Sequence, residues 1–400
     1  MSSATRTVSA PDPLVSPVSS SKRYLAVDLL RGLTIAFMIL VNDNGSDRAF
    51  WALKHAEWNG FTPTDLVFPT FLFLVGASIV FSTEARLSRG VTRASLFAHT
   101  VRRAIIIFLL GLVVNSAPFF HLSTMRYYGV LPRIAVCYLV VGSLYIWIRR
   151  PAGSAAGQPT VADKIGLLVA CLLGYYILMR FVPVPGFGMP GHDIPFLDRD
   201  ANIVAWLDRQ IFSAKHLYEG TRDPEGLLST VPALGTTLIG VLTGLFLRSS
   251  AGSEAHKARI LAIAGASSVF LGLLWNPLFP INKKLWTSSF VLYAAGWSLL
   301  ILAVFWFLVQ VRGYRRGTWV LLVFGTNAIT AYVLSEVMAA CLGHVKVGAH
   351  SNVLRWTAEH IAAVMPSYPA LGSLAYSLLY VLVCWLLVLP LYRKKIFIKI

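Results

Sequence analysis

His55 opens the run His55-Ala56-Glu57-Trp58-Asn59-Gly60, ten residues ahead of Asp65. An imidazole titrates near neutrality, so it can take a proton from an amine or a hydroxyl, and a neighbouring carboxylate can fix which ring nitrogen carries the proton. Taken alone, a histidine in a loop is an ordinary interfacial residue, and the residue types by themselves leave both readings open. Asp65 follows Thr62-Pro63-Thr64. It can cap a helix there, favour the positive end of the helix, or take part in chemistry. Asn42 closes an apolar run that begins near Leu25, and Asp28 and Arg31 sit three apart on one face near its start. Ionisable groups at membrane depth are costly unless paired or functional. This couple is therefore either a structural pin or, with Glu57, Trp58 and Asn59, part of a substrate-binding set.

The elements that must position these residues are membrane helices. Of 400 residues, 56% are hydrophobic and 13% charged, about half the charge of an ordinary soluble domain. Spans of roughly 20 apolar residues are expected at 25–42, 65–82, 104–121, 129–148, 165–182, 229–247, 260–278, 287–310, 318–340 and 371–391. The fold class is all-α, a polytopic transmembrane bundle of about ten helices. With both ends cytoplasmic, 21 Lys and Arg fall on inside segments and 12 on outside segments, the bias expected of short cytoplasmic loops. The net charge of +17 is spread in short clusters between apolar runs, which suits topology rather than nucleic acid. Residues 1–21, rich in Ser, Pro and Thr, read as a disordered cytoplasmic tail, and 22–400 as one transmembrane domain. The long loop 183–228, expected to be periplasmic, collects seven acids, and its Asn202–Phe212 stretch has helical spacing suited to lying flat on the outer leaflet. The four cysteines lie in apolar runs without paired spacing, and no metal site is expected.

Beyond the first motif, ordered segments extend along the chain. They are Arg126-Tyr-Tyr-Gly129-Val-Leu-Pro-Arg133, Asp223-Pro-Glu225-Gly226, Pro280-Ile-Asn282-Lys283-Lys284-Leu-Trp286, Phe324-Gly325-Thr-Asn327 and Tyr392-Arg-Lys-Lys. Together with Val41-Asn42, His55-Ala-Glu-Trp-Asn-Gly60 and Thr62-Pro-Thr-Asp65-Leu-Val-Phe-Pro69, they resemble the heparan-alpha-glucosaminide N-acetyltransferase family. The resemblance is to its bacterial members, which lack the large luminal region that precedes this core in the lysosomal enzyme. Pro132 stands where relatives commonly carry glutamine, and the stretch between Asn42 and His55 is about two residues longer.

The resemblance implies transfer of an acetyl group from cytoplasmic acetyl-CoA to the amine of a glucosamine-type sugar on the far side of an inner membrane. By it, His55 is the catalytic histidine, Asn42 an active-site asparagine, and Asp65 a site residue whose role is left open. It also implies a homodimer, with membrane lipids, acetyl-CoA and an amino-sugar or glycan acceptor as partners. His55 is either a general base or a transient acetyl carrier. On the cytoplasmic side Arg102 and Arg103 are candidates for the CoA phosphates, though such arginines also set topology. Asn327, a polar amide inside an apolar run, calls for a partner helix or the cofactor. The competing class is an amino-sugar or glycoconjugate transporter. No internal repeat and no matching pair of broken helices are visible, which counts against an inverted-repeat transporter.

Overall fold

The protein is described by a computed structural model over residues 24–148, 161–250, 252–348 and 351–398. The expected tail, 1–21, lies outside the described residues. Thirteen α-helices fall within them. The long ones are α1 (Leu25–Asn42), α2 (Val67–Leu87), α3 (Arg93–Ser116), α4 (Val130–Ile148), α5 (Val161–Phe181), α7 (Thr230–Arg248), α8 (Glu254–Trp275), α9 (Ser288–Trp306) and α13 (Pro369–Arg393). A π-turn at Phe307–Val311 prolongs α9. Nine helices among the described residues are long and apolar enough to cross a membrane, and a bent pair, α10 (Thr318–Thr326) with α11 (Ala328–Leu342), makes a tenth. This is a multi-pass membrane protein. Two short helices, α6 (Ile203–Ile211) and α12 (Val353–Val364), lie between spans.

The spans divide into two layers. In α2, α7, α1 and α4, between 61% and 72% of the apolar window is buried against the protein, whereas in α3, α5 and α8 the share is 11–22%. The first group forms the interior. The second presents Leu109, Ile177, Phe270 and similar side chains outward, where only hydrocarbon would accept them. Interior helices approach closely where they cross. A Cβ on Gly76 of α2 would lie 2.0 Å from the Thr237 carbonyl oxygen, and one on Gly240 of α7 would lie 2.0 Å from that of Phe73. Lipid gives no hydrophobic drive for helices to associate, so such backbone contact supplies the attraction. Gly32 of α1 and Gly325 of α10 form a second crossing of the same kind.

Three expectations need correction. Helix α3 begins at Arg93, a little over ten residues earlier than its apolar run suggested, because Thr92 caps it by accepting from the Ser95 amide. The ninth span is not one straight helix: α10 and α11 meet at Asn327 with a 78° bend. The helix in the 183–228 loop exists, but it does not offer its apolar face to a leaflet. Val204 and Ala205 are buried, and Val204 packs with Tyr175, Leu197, Phe279 and Leu285.

The alternation of spans gathers the connections at 43–62, 117–129, 182–229, 276–287 and 343–368 at one end of the bundle. His55 lies at this end.

Candidate active site

The segment after α1 turns back over the bundle. It is fixed by Asn44, whose side-chain amide donates to the Leu53 carbonyl (2.9 Å), and by Ser373 and Ser377 of α13, which donate to the carbonyls of Asn44 and Asp43. A short turn, Pro63–Leu66, then leads into α2. Asp65 in that turn is 1% exposed and uses both carboxylate oxygens. Oδ2 accepts from the Ala56 amide (3.1 Å), the Thr62 amide (3.0 Å) and the Thr62 hydroxyl (3.2 Å). Oδ1 lies 2.7 Å from His55 Nδ1. A carboxylate only accepts, so the proton sits on Nδ1 and the Nε2 lone pair is left to receive one. The His55 side chain is 46% exposed, and the structure thus gives a buried orienting carboxylate behind an accessible imidazole.

The loop between α8 and α9 covers this pair. Asn282 holds it in shape: its amide donates to Thr287 Oγ1 (3.0 Å) and its side-chain oxygen accepts from the Leu285 amide (2.9 Å). Trp286, fully buried, takes a left-handed backbone (φ 53°) there. Two bonds stitch this loop to the His55 segment. The Gly60 amide donates to the Ile281 carbonyl (2.8 Å), and the Asn282 side-chain amide donates to Asn59 Oδ1 (3.1 Å). They bring Lys283 Nζ to 3.2 Å and 3.3 Å from the two nitrogens of His55 and 3.9 Å from Asp65 Oδ1. Burial pushes the Lys283 ammonium below its ordinary range, and Glu225 and Asp65 oppose that push.

The expected residues divide by place. Asn42 donates 2.8 Å to Glu336 Oε1 of α11, and no hydrogen bond joins it to His55 among the described residues. Asp43 beside it is pushed up to about 7, first by burial and then by Glu336. Asn59 is a joint between two loops. Trp58 donates from Nε1 to the Leu197 carbonyl (2.8 Å) and has the Arg199 and Arg222 guanidinium groups 5.6 Å and 5.3 Å from its ring centre, so it anchors the long loop. Glu57 is exposed. Asp28 and Arg31 are elsewhere: they lie near the first residues of α1, about 20 Å of helix from Asn42. Arg31 binds Asp28 (2.8 Å), Ser78 of α2 (3.0 Å) and the Gly325 carbonyl of α10 (3.3 Å). That couple pins three helices and does not share a site with His55. Asn327 donates to the Ile396 carbonyl (3.2 Å) and accepts from the Ile398 amide (3.0 Å); its amide holds the C-terminal segment. Arg103 stacks on the Tyr138 ring at 4.9 Å, and Arg102 is exposed. Among the described residues no group of three His, Cys, Asp or Glu could hold a metal ion.

Sequence reasoning missed Lys283, Glu336 and the Arg126 cluster as parts of this end. Glu336 had a signal, a carboxylate in an apolar helix. The cluster had none locally. Arg126 Nε and Nη2 bind Asp223 (2.7 Å and 2.5 Å), and Nη2 also binds Glu225 (2.5 Å). Both carboxylates are buried. Removing one partner of a buried ion pair typically costs about 3–5 kcal/mol. Arg126→Met is therefore expected to lower the thermal midpoint of the purified protein by several degrees, read by intrinsic fluorescence. An unchanged midpoint would show that water already reaches these carboxylates.

Residues 23–162, which include Asn42, His55, Asp65, Arg126 and Arg133, match the family model described as "Heparan-alpha-glucosaminide N-acetyltransferase, catalytic". Over 423 aligned residues the chain is 28% identical to the Homo sapiens protein named "Heparan-alpha-glucosaminide N-acetyltransferase", covering 94% of this chain and 60% of that protein. The chain is similar to this acetyltransferase over most of its length. The Mus musculus protein of the same name is 29% identical over 361 residues, covering 80% of this chain and 54% of its own length. The chain thus spans a little over half the length of the curated relatives it matches. The matched segment carries the whole His55–Asp65 pair, whereas Lys283, Glu225 and Glu336 come from later in the chain.

Proposed function

We propose that the protein transfers an acetyl group from acetyl-CoA, on the cytoplasmic side, to the amine of a glucosamine-type sugar at the opposite, periplasmic face of the inner membrane. The observation that carries this reading is His55 held by the buried carboxylate of Asp65, with Nε2 open. The resemblance of this stretch to the acetyltransferase family and the excess of Lys and Arg on the other side support the sidedness.

The chemistry is a single displacement at a thioester. The sugar ammonium gives its proton to His55 Nε2, and the free amine adds to the thioester carbonyl. A C–N bond forms, and the carbonyl electrons move to oxygen. On collapse the C–S bond breaks, the new amide nitrogen releases its remaining extra proton to water, and the CoA thiolate takes the proton held by the imidazolium. Asp65 steadies the ring's positive charge in between. Asn42, the active-site asparagine that the resemblance implies, donates to Glu336, a bond that would steady its side chain. In a second route to the same product His55 itself carries the acetyl group. It differs in that acetyl-CoA alone would label His55.

The test uses purified protein in oriented proteoliposomes, with labelled acetyl-CoA on the face opposite His55 and glucosamine on the His55 face. Labelled N-acetylglucosamine is expected on the His55 face, in wild type only and not in His55→Ala. The broken α10–α11 span, bent by 78°, is the one feature that favours transport, since discontinuous helices form transporter binding sites. Glucosamine crossing the bilayer without acetylation would replace the enzyme reading with that one.

A further inference from the structure

We infer that Lys283 is the positioning charge of the site: a fixed ammonium set against the His55 ring that keeps the imidazole in its proton-accepting form against the pull of Asp65. The inference rests on the reading of His55 as the base.

The geometry is specific. Lys283 Nζ lies 3.2 Å from Nδ1 and 3.3 Å from Nε2. A point nearly equidistant from both nitrogens is off the lone-pair axis of each. The ammonium therefore acts on the ring as a charge and leaves Nε2 open to a substrate. The loop that carries Lys283 is held there by the Asn282 turn and by the bonds from Asn282 to Asn59 and from Gly60 to Ile281. Its side chain is 17% exposed, so the charge is poorly screened.

The other charges around the pair are largely occupied. Lys284 binds Glu219 at 2.9 Å. Glu225 is taken by Arg126. Arg133 is occupied only in part: its Nη2 donates to the Gly226 carbonyl and Ser229, while Nε and Nη1 are buried without a hydrogen bond. Lys54 turns to the Asp47 carbonyl, and Glu57 is exposed. Among the described residues, Lys283 Nζ makes its hydrogen-bond and ion-pair contacts with His55 and Asp65, and Glu225, Lys284 and Arg133 are the other charges that act on it.

The two charges at the ring do opposite work. Asp65 at 2.7 Å fixes the tautomer but also favours the imidazolium. Lys283 disfavours the imidazolium. With both present the ring keeps the orientation that Asp65 gives it, while the two charges act on its proton in opposite directions. Once it has taken the amine proton, the ammonium makes that proton easier to hand on to the departing thiolate.

The experiment compares wild type, Lys283→Met, Lys283→Gln and Lys283→Arg in full-length protein. Carbethoxylation of His55 by diethyl pyrocarbonate follows the neutral ring, and its rate is read on the His55 peptide by mass spectrometry from pH 5 to 8. Without the charge, the acid limb is expected to move up by about one unit, which is about tenfold slower modification at the acid end. Lys283→Arg should keep the wild-type limb. The acid limb of kcat for acetyl transfer should move in the same direction, with KM for acetyl-CoA little changed. Wild-type titration of His55 in both neutral variants would overturn the inference. Because carbethoxylation needs no turnover, a shifted limb in protein that transfers no acetyl group would uphold Lys283 and refute the acetyltransferase reading. Should Lys283→Met fail to fold, the polar and uncharged Lys283→Gln gives the same comparison.

Discussion

Replacing His55 with alanine should reduce acetyl transfer by roughly 10²- to 10⁴-fold, the range over which a positioned general base contributes. The fall should be in kcat, with acetyl-CoA affinity kept, because the side chain is half exposed and reaches only Asp65 and Lys283. Folding should survive as well. Asp65 keeps three donors from Ala56 and Thr62 after the ring is removed, and Lys283 is already 3.9 Å away, so no buried charge is orphaned. The deficit should shrink at alkaline pH, where the acceptor amine loses its proton without help. The measurement is a pH–rate profile of labelled product for the two proteins. Equal rates at neutral pH would remove His55 from the chemistry, and loss of folded protein would make it a structural residue.

The spans were readable because the bilayer imposes one length and one composition on each of them. Residues 25–42 were expected and α1 runs from Leu25 to Asn42. Apolar runs carry no record of how a span is bent. The break at Asn327 involves neither Pro nor Gly; it comes from an amide committed to the backbone of residues 396 and 398, some seventy residues on. The site shows the same divide. His55 and Asp65 are ten residues apart, and a local reading found both. It left open whether Asp65 caps the turn or takes part in chemistry; in the structure one carboxylate oxygen accepts from the turn and the other faces the His55 ring. Lys283 reaches His55 across 228 residues of sequence. Its own surroundings, Pro280 to Lys284, read as a loop between spans, and they join α8 to α9. Only the packing of that loop on Asn59 and Gly60 makes its lysine part of the site. Conversely, Asp28 and Arg31 looked functional because they are charged at membrane depth. Their partners on α2 and α10 show that the charge is used to fix the crossing of three helices.

Asp65→Asn should cost nearly as much as losing His55, again on the order of 10² to 10⁴ in kcat. The change is almost isosteric, so the turn at Thr62 can keep an acceptor. What it alters is the ring. An amide that turns its NH₂ group toward Nδ1 donates there, which moves the imidazole proton to Nε2 and closes the atom that must accept the substrate proton. In Ser-His-Asp enzymes this tautomer error alone lowers turnover by about 10⁴. There the histidine serves a nucleophilic serine, whereas here it serves the substrate amine directly, so the lower part of the range is also consistent. Asp65→Ala should behave differently, because it leaves the Ala56 and Thr62 amides without their acceptor and should lower stability by about 1–3 kcal/mol together with activity. The decisive comparison is the double variant. If Asp65 acts only through the ring, His55→Ala with Asp65→Asn should be no slower than His55→Ala alone, since residues that work as one unit are strongly non-additive. Multiplying losses would instead give Asp65 an independent contact with the substrate, and the pair would have to be redrawn as two separate contributors.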